Sequence, residues 1–430
     1  MPVKIGQNGT WSQDYVGPYQ GIDTQHPENL IADNASALFN NFMLRNAELR
    51  SRPSLINPFG IGVSSGPTNP QLGITTFVDV NGTYHTVIWA GENLYQYNPA
   101  LLPAPPFQLV GQAAPGDMKT NAVSYRAFAN AIWYTNKAAL IGANNSPIID
   151  PFLGTWNGLT AVPQFTQVQF DASVTESCAG IALTDSPSVG GSLPGAPTVT
   201  GPLAIGGLYL GELNNQLILA NVSVLDQGTG VIYSFPNMIW WSANGLPFQW
   251  DPEQNTSAGF NPFLDVPDLI TGMVTLGIAG YIFRTNGITQ FATTGSAVTP
   301  FTFDHMWASD HGIGNVLPFS IAQYGPAAAF ISNDNIYSLS VSSSTPIGGT
   351  ARDGIFSDLS AASSAPFANI VPILENGFVY LTYQIYIPLA QLGVVRAWIY
   401  SFDDKNWSIW DLGLAANPPS LVLTCAPNVV

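Results

Sequence analysis

Two aspartate–histidine pairs stand close together in the segment FDHMWASDHGIG, as Asp304-His305 and Asp310-His311. Aspartate and histidine side chains both bind first-row divalent metals, so this grouping is the first candidate for a metal site. Loops rich in these two residues are common, however, and no second cluster in the sequence complements this one. We therefore predict that the protein holds no metal and no cofactor.

Acidic residues are the next candidates, because pairs of carboxylates hydrolyse glycosidic bonds in many enzymes. In this sequence the carboxylates are dispersed, and their spacing brings no two of them together. They are Asp79, Asp150, Glu212, Asp251, Asp265, Asp268, Asp353 and Glu375. No P-loop and no H-E-x-x-H motif is present either. We predict no catalytic residue and no enzymatic activity, with a glycosidase as the less favoured alternative.

Aromatic side chains are a third kind of candidate, since they stack on sugar rings. They are concentrated in Trp240-Trp241 and in the runs 398–402 and 407–410. Alternating aromatic residues in strands more often pack in the core and across neighbouring strands. We favour the core interpretation and keep glycan binding as an alternative.

Arg45, Arg50 and Arg52 form the one local concentration of positive charge. They are three of only eleven Lys and Arg residues in the chain. Such a cluster could dock an acidic partner, although a solvated turn would explain it equally well. We predict these three arginines as partner-docking residues.

Charge is scarce in the chain as a whole. Charged residues make up 9% of the 430 residues, whereas about a quarter is typical of soluble domains. This composition indicates a surface covered by neighbouring subunits or rich in uncharged polar groups. The net charge of −16 disfavours tight binding of nucleic acid, which needs several basic side chains, but suits a surface that DNA passes without binding.

The cysteines and the apolar segments indicate in which cellular environment the protein folds. Cys178 and Cys425 have no C-x-x-C spacing, and two free thiols are favoured over a disulfide. The sequence shows no signal-peptide core at its start and no run of 18 apolar residues, so we expect no secretion signal and no transmembrane helix.

A strand–turn–strand unit recurs about every fifty residues and must position all these groups. Six segments share it, each with an apolar strand, a tight turn rich in Asn and Gly, and a more aromatic second strand. They span residues 73–97, 122–141, 205–222, 270–291, 320–339 and 369–387. Repeats of this period predict an all-β fold, a β-propeller of about six blades.

The chain divides by pattern into three parts. Residues 1–60 form a lead-in with a short predicted helix, in which Ala37, Leu38, Phe42 and Leu44 share a face after a cap at Asp33 or Asn34. Residues 61–412 form the propeller, with an irregular insertion at about 146–204. Residues 413–430 form a C-terminal tail.

The lead-in resembles the opening of tail proteins of double-stranded-DNA bacteriophages. The residues that carry the resemblance are Gly21-Ile22-Asp23, Asp33-Asn34-Ala35, Asn40-Asn41-Phe42 and Glu48-Leu49-Arg50-Ser51-Arg52-Pro53. Three later segments are similar to later parts of the same proteins. They are residues 241–247, residues 312–314 leading into 332–337, and residues 400–408. The chain departs from the family pattern at Glu48 and Ser54, where glycine is usual.

This resemblance implies a tail nozzle of the tail tubular protein B kind in a short-tailed phage. Such proteins form rings, usually of six copies, beneath the adaptor that follows the portal. They surround the DNA exit channel and carry fibres or spikes. We accordingly expect a structural virion protein, made in the host bacterial cytoplasm, that docks copies of itself, a tail adaptor and fibres or spikes. A carbohydrate-binding propeller that recognises a host surface is the first alternative.

Overall fold

A computed structural model describes the following parts of the chain: residues 3–5, 11–13, 21–22, 25, 35–36, 42–45, 48–51, 71–90, 93–97, 107–112, 124–137, 140–141, 147–148, 151–159, 169–170, 203–226, 231–250, 257–264, 268–307, 312–341, 343–363, 366–375 and 378–413. All structural statements below concern these residues.

Six antiparallel sheets follow one another along the chain, each with its strands in up-and-down order. Sheet 1 contains β7 (Gln71–Val78), β8 (Tyr84–Ala90), β9 (Asn93–Tyr97) and β10 (Phe107–Gln112). Sheet 2 contains β11 (Ser124–Phe128), β12 (Ala131–Lys137) and β15 (Pro151–Trp156), and the ribbon of β13 (Leu140–Ile141) and β14 (Pro147–Ile148) interrupts it. Sheet 3 contains β16 (Gln169–Phe170), β17 (Leu203–Leu213), β18 (Gln216–Asp226), β19 (Val231–Trp241) and β20 (Gly259–Pro262).

The last three sheets have four strands each. Sheet 4 contains β21 (Ile270–Leu276), β22 (Ala279–Arg284), β23 (Ile288–Thr293) and β24 (Phe301–Trp307). Sheet 5 contains β25 (Ala322–Tyr324), β26 (Ala327–Ile331), β27 (Ile336–Leu339) and β28 (Ser344–Pro346). Sheet 6 contains β29 (Phe367–Glu375), β30 (Phe378–Leu389), β31 (Val394–Ser401) and β32 (Asn406–Gly413). This succession of sheets is the blade pattern of a β-propeller, and the predicted fold class is confirmed.

The two units into which the chain clusters are residues 59–319 with 420–430, and residues 1–58 with 320–419. In the first unit, the first long strands of consecutive sheets lie side by side, as β7 with β11, β11 with β17, and β17 with β21. In the second unit β25 lies beside β29. Adjacent first strands are what the blade pattern requires.

Side chains from neighbouring sheets form hydrogen bonds with the backbone of β17. Leu210 N donates to Ser124 Oγ at 2.8 Å, and Gly207 N donates to Thr135 Oγ1 at 3.0 Å. The Thr135 hydroxyl in turn donates to Gly207 O at 2.9 Å, and Thr275 Oγ1 donates to Glu212 O at 2.7 Å. Each such bond contributes about 1 kcal/mol and fixes how neighbouring sheets are aligned.

Tryptophans supply much of the core between sheets 2 and 3. Trp133, Trp240 and Trp250 are buried there with Leu217 and Leu219. Trp240 Nε1 donates to Trp250 O at 2.8 Å, and Trp133 Nε1 donates to Phe128 O at 3.2 Å, so the indole nitrogens do not oppose burial. Burying an aromatic side chain of this size contributes about 2–3 kcal/mol.

The lead-in contains short strands: β1 (Val3–Ile5), β2 (Trp11–Gln13), β3 (Gly21–Ile22), β4 (Ala35–Ser36), β5 (Phe42–Arg45) and β6 (Glu48–Ser51). The helix predicted after the cap at Asp33 or Asn34 is wrong at Ala35–Ser36 and Phe42–Arg45, which are strands, and Ala37 and Leu38 lie outside the described residues. β5 and β6 pair with each other in antiparallel register, and β3 and β5 lie against β32. A tight hairpin beside the edge of sheet 6 replaces the local helical preference, because neighbouring strands supply the backbone partners.

Helical structure in the described residues is limited to two 3₁₀ turns (Gly349–Ala351 and Ala390–Leu392) and α1 (Arg352–Ser360). The nine residues of α1 are too few to cross a bilayer, and no described helix has the length and apolar character to do so.

Candidate interaction surface

The hairpin tips of sheets 1 to 4 lie at one end of those sheets. In an up-and-down sheet alternate strands run the same way and finish at the same end, as do β7 and β9, β11 and β15, β17 and β19, and β21 and β23. The hairpin tips of neighbouring sheets also lie at the same end. Hydrogen bonds join Leu210 to Ser124 and Thr275 to Glu212, and in each pair both residues precede a hairpin tip on their own strand. We call the resulting surface the turn face; it comprises residues 78–84, 127–130, 157–159, 214–215, 244–246, 277–278 and 293–299.

The turns of this face are tight and held by hydrogen bonds. Asn214 and Asn215 both have positive φ, at 53° and 59°, as the two central residues of a type I′ hairpin require. Asn244 Nδ2 donates to Asn214 O at 3.0 Å, and Gly245 N donates to Asn215 O at 2.8 Å. The strand–turn–strand pattern predicts tight turns rich in Asn and Gly, and such turns are present at Asn81-Gly82, Asn130, Asn214-Asn215, Gly277 and Gly325.

The turn face exposes apolar side chains to solvent. Ile278 is 86% exposed, Tyr84 78% and Val80 64%. Val78, Leu159, Leu246 and Val298 are also exposed there. The only charged residue in the defining ranges is Asp79, and it is buried. All the exposed residues of the turn face are therefore uncharged, which is typical of a surface that meets another molecule.

Hydrogen bonds of Asp79, including one with His85, stabilise the hairpin between β7 and β8. Asp79 Oδ1 accepts hydrogen bonds from Asn81 N at 2.8 Å and Thr83 N at 2.9 Å. Its Oδ2 lies 3.1 Å from His85 Nε2, and Gln96 Nε2 lies 2.8 Å from His85 Nδ1. Because an amide nitrogen only donates, Nδ1 accepts, and Nε2–H is left to donate to Asp79.

The His85 ring also joins sheet 1 to sheet 2. It stacks on Phe77 with centroids 5.1 Å apart and meets the Trp156 ring edge to face at 5.5 Å. A Cβ on Gly158 would lie 2.7 Å from His85 Nε2, so the chain after β15 passes directly over the imidazole. Asp79 is thus a structural cap, and its carboxylate has no free oxygen for glycosidase chemistry.

The Asp79 contacts predict an acid-sensitive hairpin. Hydrogen bonds from His85 and Thr83 lower the pKa of Asp79 from 3.8. A carboxyl whose pKa is lower in the folded state stabilises the fold above its unfolded pKa and loses that effect as pH falls through the folded pKa. We expect Asp79→Asn to melt several degrees below wild type near neutral pH, and the difference to shrink as pH falls below 3.8. Thermal melts across that range test this, and a difference that does not vary with pH would contradict it.

Arg126 on β11 and Glu212 on β17 interact electrostatically, two or three residues before the turns at 129–130 and 214–215. Burial raises the pKa of the Glu212 carboxyl, and the Arg126 charge partly offsets this. Burial likewise lowers the pKa of Arg126, and the negative charge of Glu212 partly opposes this. A half-buried pair of opposite charges is more typical of structure than of catalysis, and it leaves this end of the sheets close to neutral.

His305, one of the four residues proposed for a metal site, bonds to protein groups. Its Nδ1 lies 2.8 Å from Thr289 Oγ1 and 3.2 Å from Arg284 Nη2. Asp304 is the neighbouring residue on β24, so it points to the other face of sheet 4. Asp310 and His311 lie outside the described residues. Within the described part of the chain, no group of three metal-binding side chains comes together.

The other predicted site residues do not converge. Asp268 accepts from Asn286 Nδ2 at 3.0 Å, and Asp353 is exposed on α1. Trp240, Trp241, Trp398, Trp407 and Trp410 are buried, so the core interpretation of these runs is confirmed. Register places Arg45 opposite Glu48 and Arg50 opposite Met43 in the β5–β6 hairpin. The remaining candidates lie outside the described residues or have side chains outside them: Arg52, Asp150, Cys178, Asp251, Asp265, Glu375 and Cys425.

Sequence reasoning missed one ionic cluster, which connects α1 to sheet 6. Arg396 Nε donates to Asp411 Oδ1 at 2.8 Å, and Arg396 Nη1 lies 3.4 Å from Asp358 Oδ2. The same Asp358 oxygen accepts from Trp398 Nε1 at 2.8 Å. These contacts, with Asp411 first, raise the pKa of Arg396. Asp411 and Asp358 are 15 and 38 positions from Arg396 in the sequence, and no spacing rule connects them.

Comparison with known proteins adds likeness of fold only. No family model matches the sequence, and no curated protein matches it. Solved structures that it resembles include the extracellular domain of a putative hybrid two-component system from B. thetaiotaomicron, at 8% identity over 79% of this chain and 51% of that one. The chain thus spans about half the length of that protein.

Two further similar structures are AztD from Citrobacter koseri, at 9% identity over 80% of this chain and 76% of that one, and the Aleuria aurantia lectin, at 12% identity over 80% and 93%. All three have a TM-score of 0.30. Identities and scores this low carry no inference about what the protein binds or does.

Proposed function

We propose that this protein is a structural subunit of a multi-copy assembly, a ring component of a bacteriophage tail that helps form the DNA ejection channel. The observation that carries the proposal is the turn face, whose described residues form hydrogen-bonded turns, expose no charge and include several exposed aliphatic side chains. Such a surface loses little on dehydration and has few side chains to immobilise on binding. It therefore suits permanent contact with another protein surface.

The chain's charge supports a structural role over nucleic-acid binding. With a net charge of −16, the protein repels the phosphate backbone. Passage of DNA without specific binding needs such a repulsive surface, whereas a DNA-binding protein needs basic patches. Association with copies of itself and with other tail proteins would then use uncharged surfaces.

The tail assignment rests on the resemblance of the lead-in and of residues 241–247, 312–314 and 400–408 to phage tail proteins. In this proposal Arg45 and Arg50 on the β5–β6 hairpin dock the tail adaptor together with Arg52, which follows β6 in the sequence. β3 and β5 lie against β32, so the hairpin is held on the chain's own last sheet and presented from there. The location that follows is the virion tail.

Charging the turn face should block assembly of particles. We expect Val80→Lys with Ile278→Lys to lower the yield of infectious particles by at least about tenfold, because two ammonium groups would be buried without partners. Both positions are highly exposed, so the double variant should fold normally. The measurement is complementation of a phage or cell that lacks the gene, with particle counting by electron microscopy.

Leu264 and Leu269 supply the matched control, since they are 70% and 52% exposed but lie at the opposite end of the sheets. The variant Leu264→Lys with Leu269→Lys adds the same charge to the same unit and should leave particle yield unchanged. Equal yields from the two double variants, or purified particles without this chain, would contradict the proposal.

Binding of host carbohydrate is the second candidate function, and Tyr84 favours it. Its ring is 78% exposed and shares its hairpin with the amide of Asn81, and this combination suits stacking on a sugar ring and bonding to its hydroxyls. A glycan array probed with wild type and Tyr84→Ala decides this alternative. Binding that is lost in the variant would support it, and an array without binding would remove it.

A further inference from the structure

The chemistry of the turn face is self-complementary. Its exposed polar groups are the amides of Asn81, Asn130, Asn157, Asn214, Asn215 and Asn244 and the hydroxyls of threonine and serine. Each of these groups both donates and accepts hydrogen bonds, so two identical groups can pair. A carboxylate or an ammonium group, by contrast, repels its own copy.

Net charge makes this face the favoured place for two copies to meet. A chain with a net charge of −16 repels a second copy across most of its surface. Among the described residues of the turn face no exposed charge opposes approach, and Val80, Tyr84 and Ile278 provide apolar surface to bury. A basic partner would find no exposed carboxylate among these residues, and an acidic partner would find no exposed cation.

We propose that in the free protein the turn face is covered by the turn face of a second copy. A two-fold axis would place the same patch on both partners, so one uncharged patch of aliphatic side chains and amides would meet another of the same composition. This inference rests on the proposed function, which makes the face a docking surface, and names its occupant before assembly. Pairing would shield the aliphatic side chains until the subunit docks in a particle.

A charge-swap experiment tests the pairing directly. Sedimentation velocity of the purified full chain should show association of wild type that weakens at least about tenfold in Ile278→Lys and equally in Ile278→Glu. In a two-fold contact an equimolar mixture of the two variants should associate more strongly than either variant alone, because a mixed pair buries two opposite charges where each single variant buries two like charges. Leu264→Lys mixed with Leu264→Glu is the control, and those variants should associate like wild type alone and together.

Any other result would contradict the proposed pairing of two turn faces. A wild type that stays monomeric, or single variants that associate like wild type, would show that the face does not hold two copies together. Weakened variants that the mixture fails to restore would show that the face meets a different surface. Particle yield is a separate measurement. A chain that is monomeric but required in particles would contradict the pairing and support the proposed function. A chain that pairs but is absent from particles would support the pairing and contradict the proposed function.

Discussion

Replacing Gly314 by alanine is expected to destabilise the protein by about 3 kcal/mol, the largest effect of a single methyl group that we predict. An added Cβ would lie 2.6 Å from the Gly287 nitrogen and closer still to the carbonyl oxygens of Arg284 and Thr285. All three obstacles are backbone atoms, so no flexible side chain can move aside. Asn315 N also donates to Arg284 O at 2.9 Å, which holds the segment against sheet 4.

Gly312 provides the control for this prediction within the same segment. It has a φ of 62°, and an added Cβ would meet nothing within 4 Å, so Gly312→Ala costs only the left-handed strain of about 1 kcal/mol. Urea unfolding followed by tryptophan fluorescence measures both variants. Similar losses in the two variants would show that backbone conformation matters here and close packing does not.

The repeat of hairpins could be predicted because its cause is local. Positive φ at Asn214, Asn215 and Gly82 requires residues that tolerate it, and the sequence places asparagine and glycine there. Apolar and aromatic residues on either side then form the paired strands. Six such units suffice to predict the fold class, since local turn chemistry and burial agree.

The lead-in shows where local patterns fail. The apolar spacing of Ala37, Leu38, Phe42 and Leu44 fits a helix, yet Phe42–Arg45 pairs with Glu48–Ser51. Its strands also lie against β32, which is more than 350 residues away in sequence. A contact with the far end of the chain cannot be read from a short window, and it outweighs weak helix propensity.

The candidate surface could be predicted only in part. Scarce charge in the composition indicated that some surface is covered, but the turn face is assembled from seven separate segments. No single segment is unusual, because one exposed aliphatic residue such as Val80 or Ile278 is ordinary in a turn. Their common placement follows from sheet alignment through contacts such as Leu210 with Ser124, which no spacing rule predicts.

Asp358→Ala is expected to destabilise the unit that contains sheet 6 by about 2 kcal/mol. The change removes the acceptor of Trp398 Nε1, which is 2.8 Å away on a buried side chain, and one of the two carboxylates around Arg396. It also detaches α1 from β31, since Asp358 is the residue of that helix that bonds to both. Arg396 retains Asp411 at 2.8 Å, so the loss stays below that of an arginine left entirely without a partner.

Asp353 on the same helix gives the comparison that isolates this effect. Its carboxylate pairs with Arg352 at 3.2 Å in an exposed position, so Asp353→Ala removes the same group at a cost of about 0.5 kcal/mol or less. Asp358→Asn should fall between the two, because its amide oxygen can still accept from Trp398 while the charge next to Arg396 is gone. If all three variants unfolded at the same urea concentration, Asp358 would not anchor α1 to sheet 6. The cluster would then add nothing measurable to the free energy of unfolding.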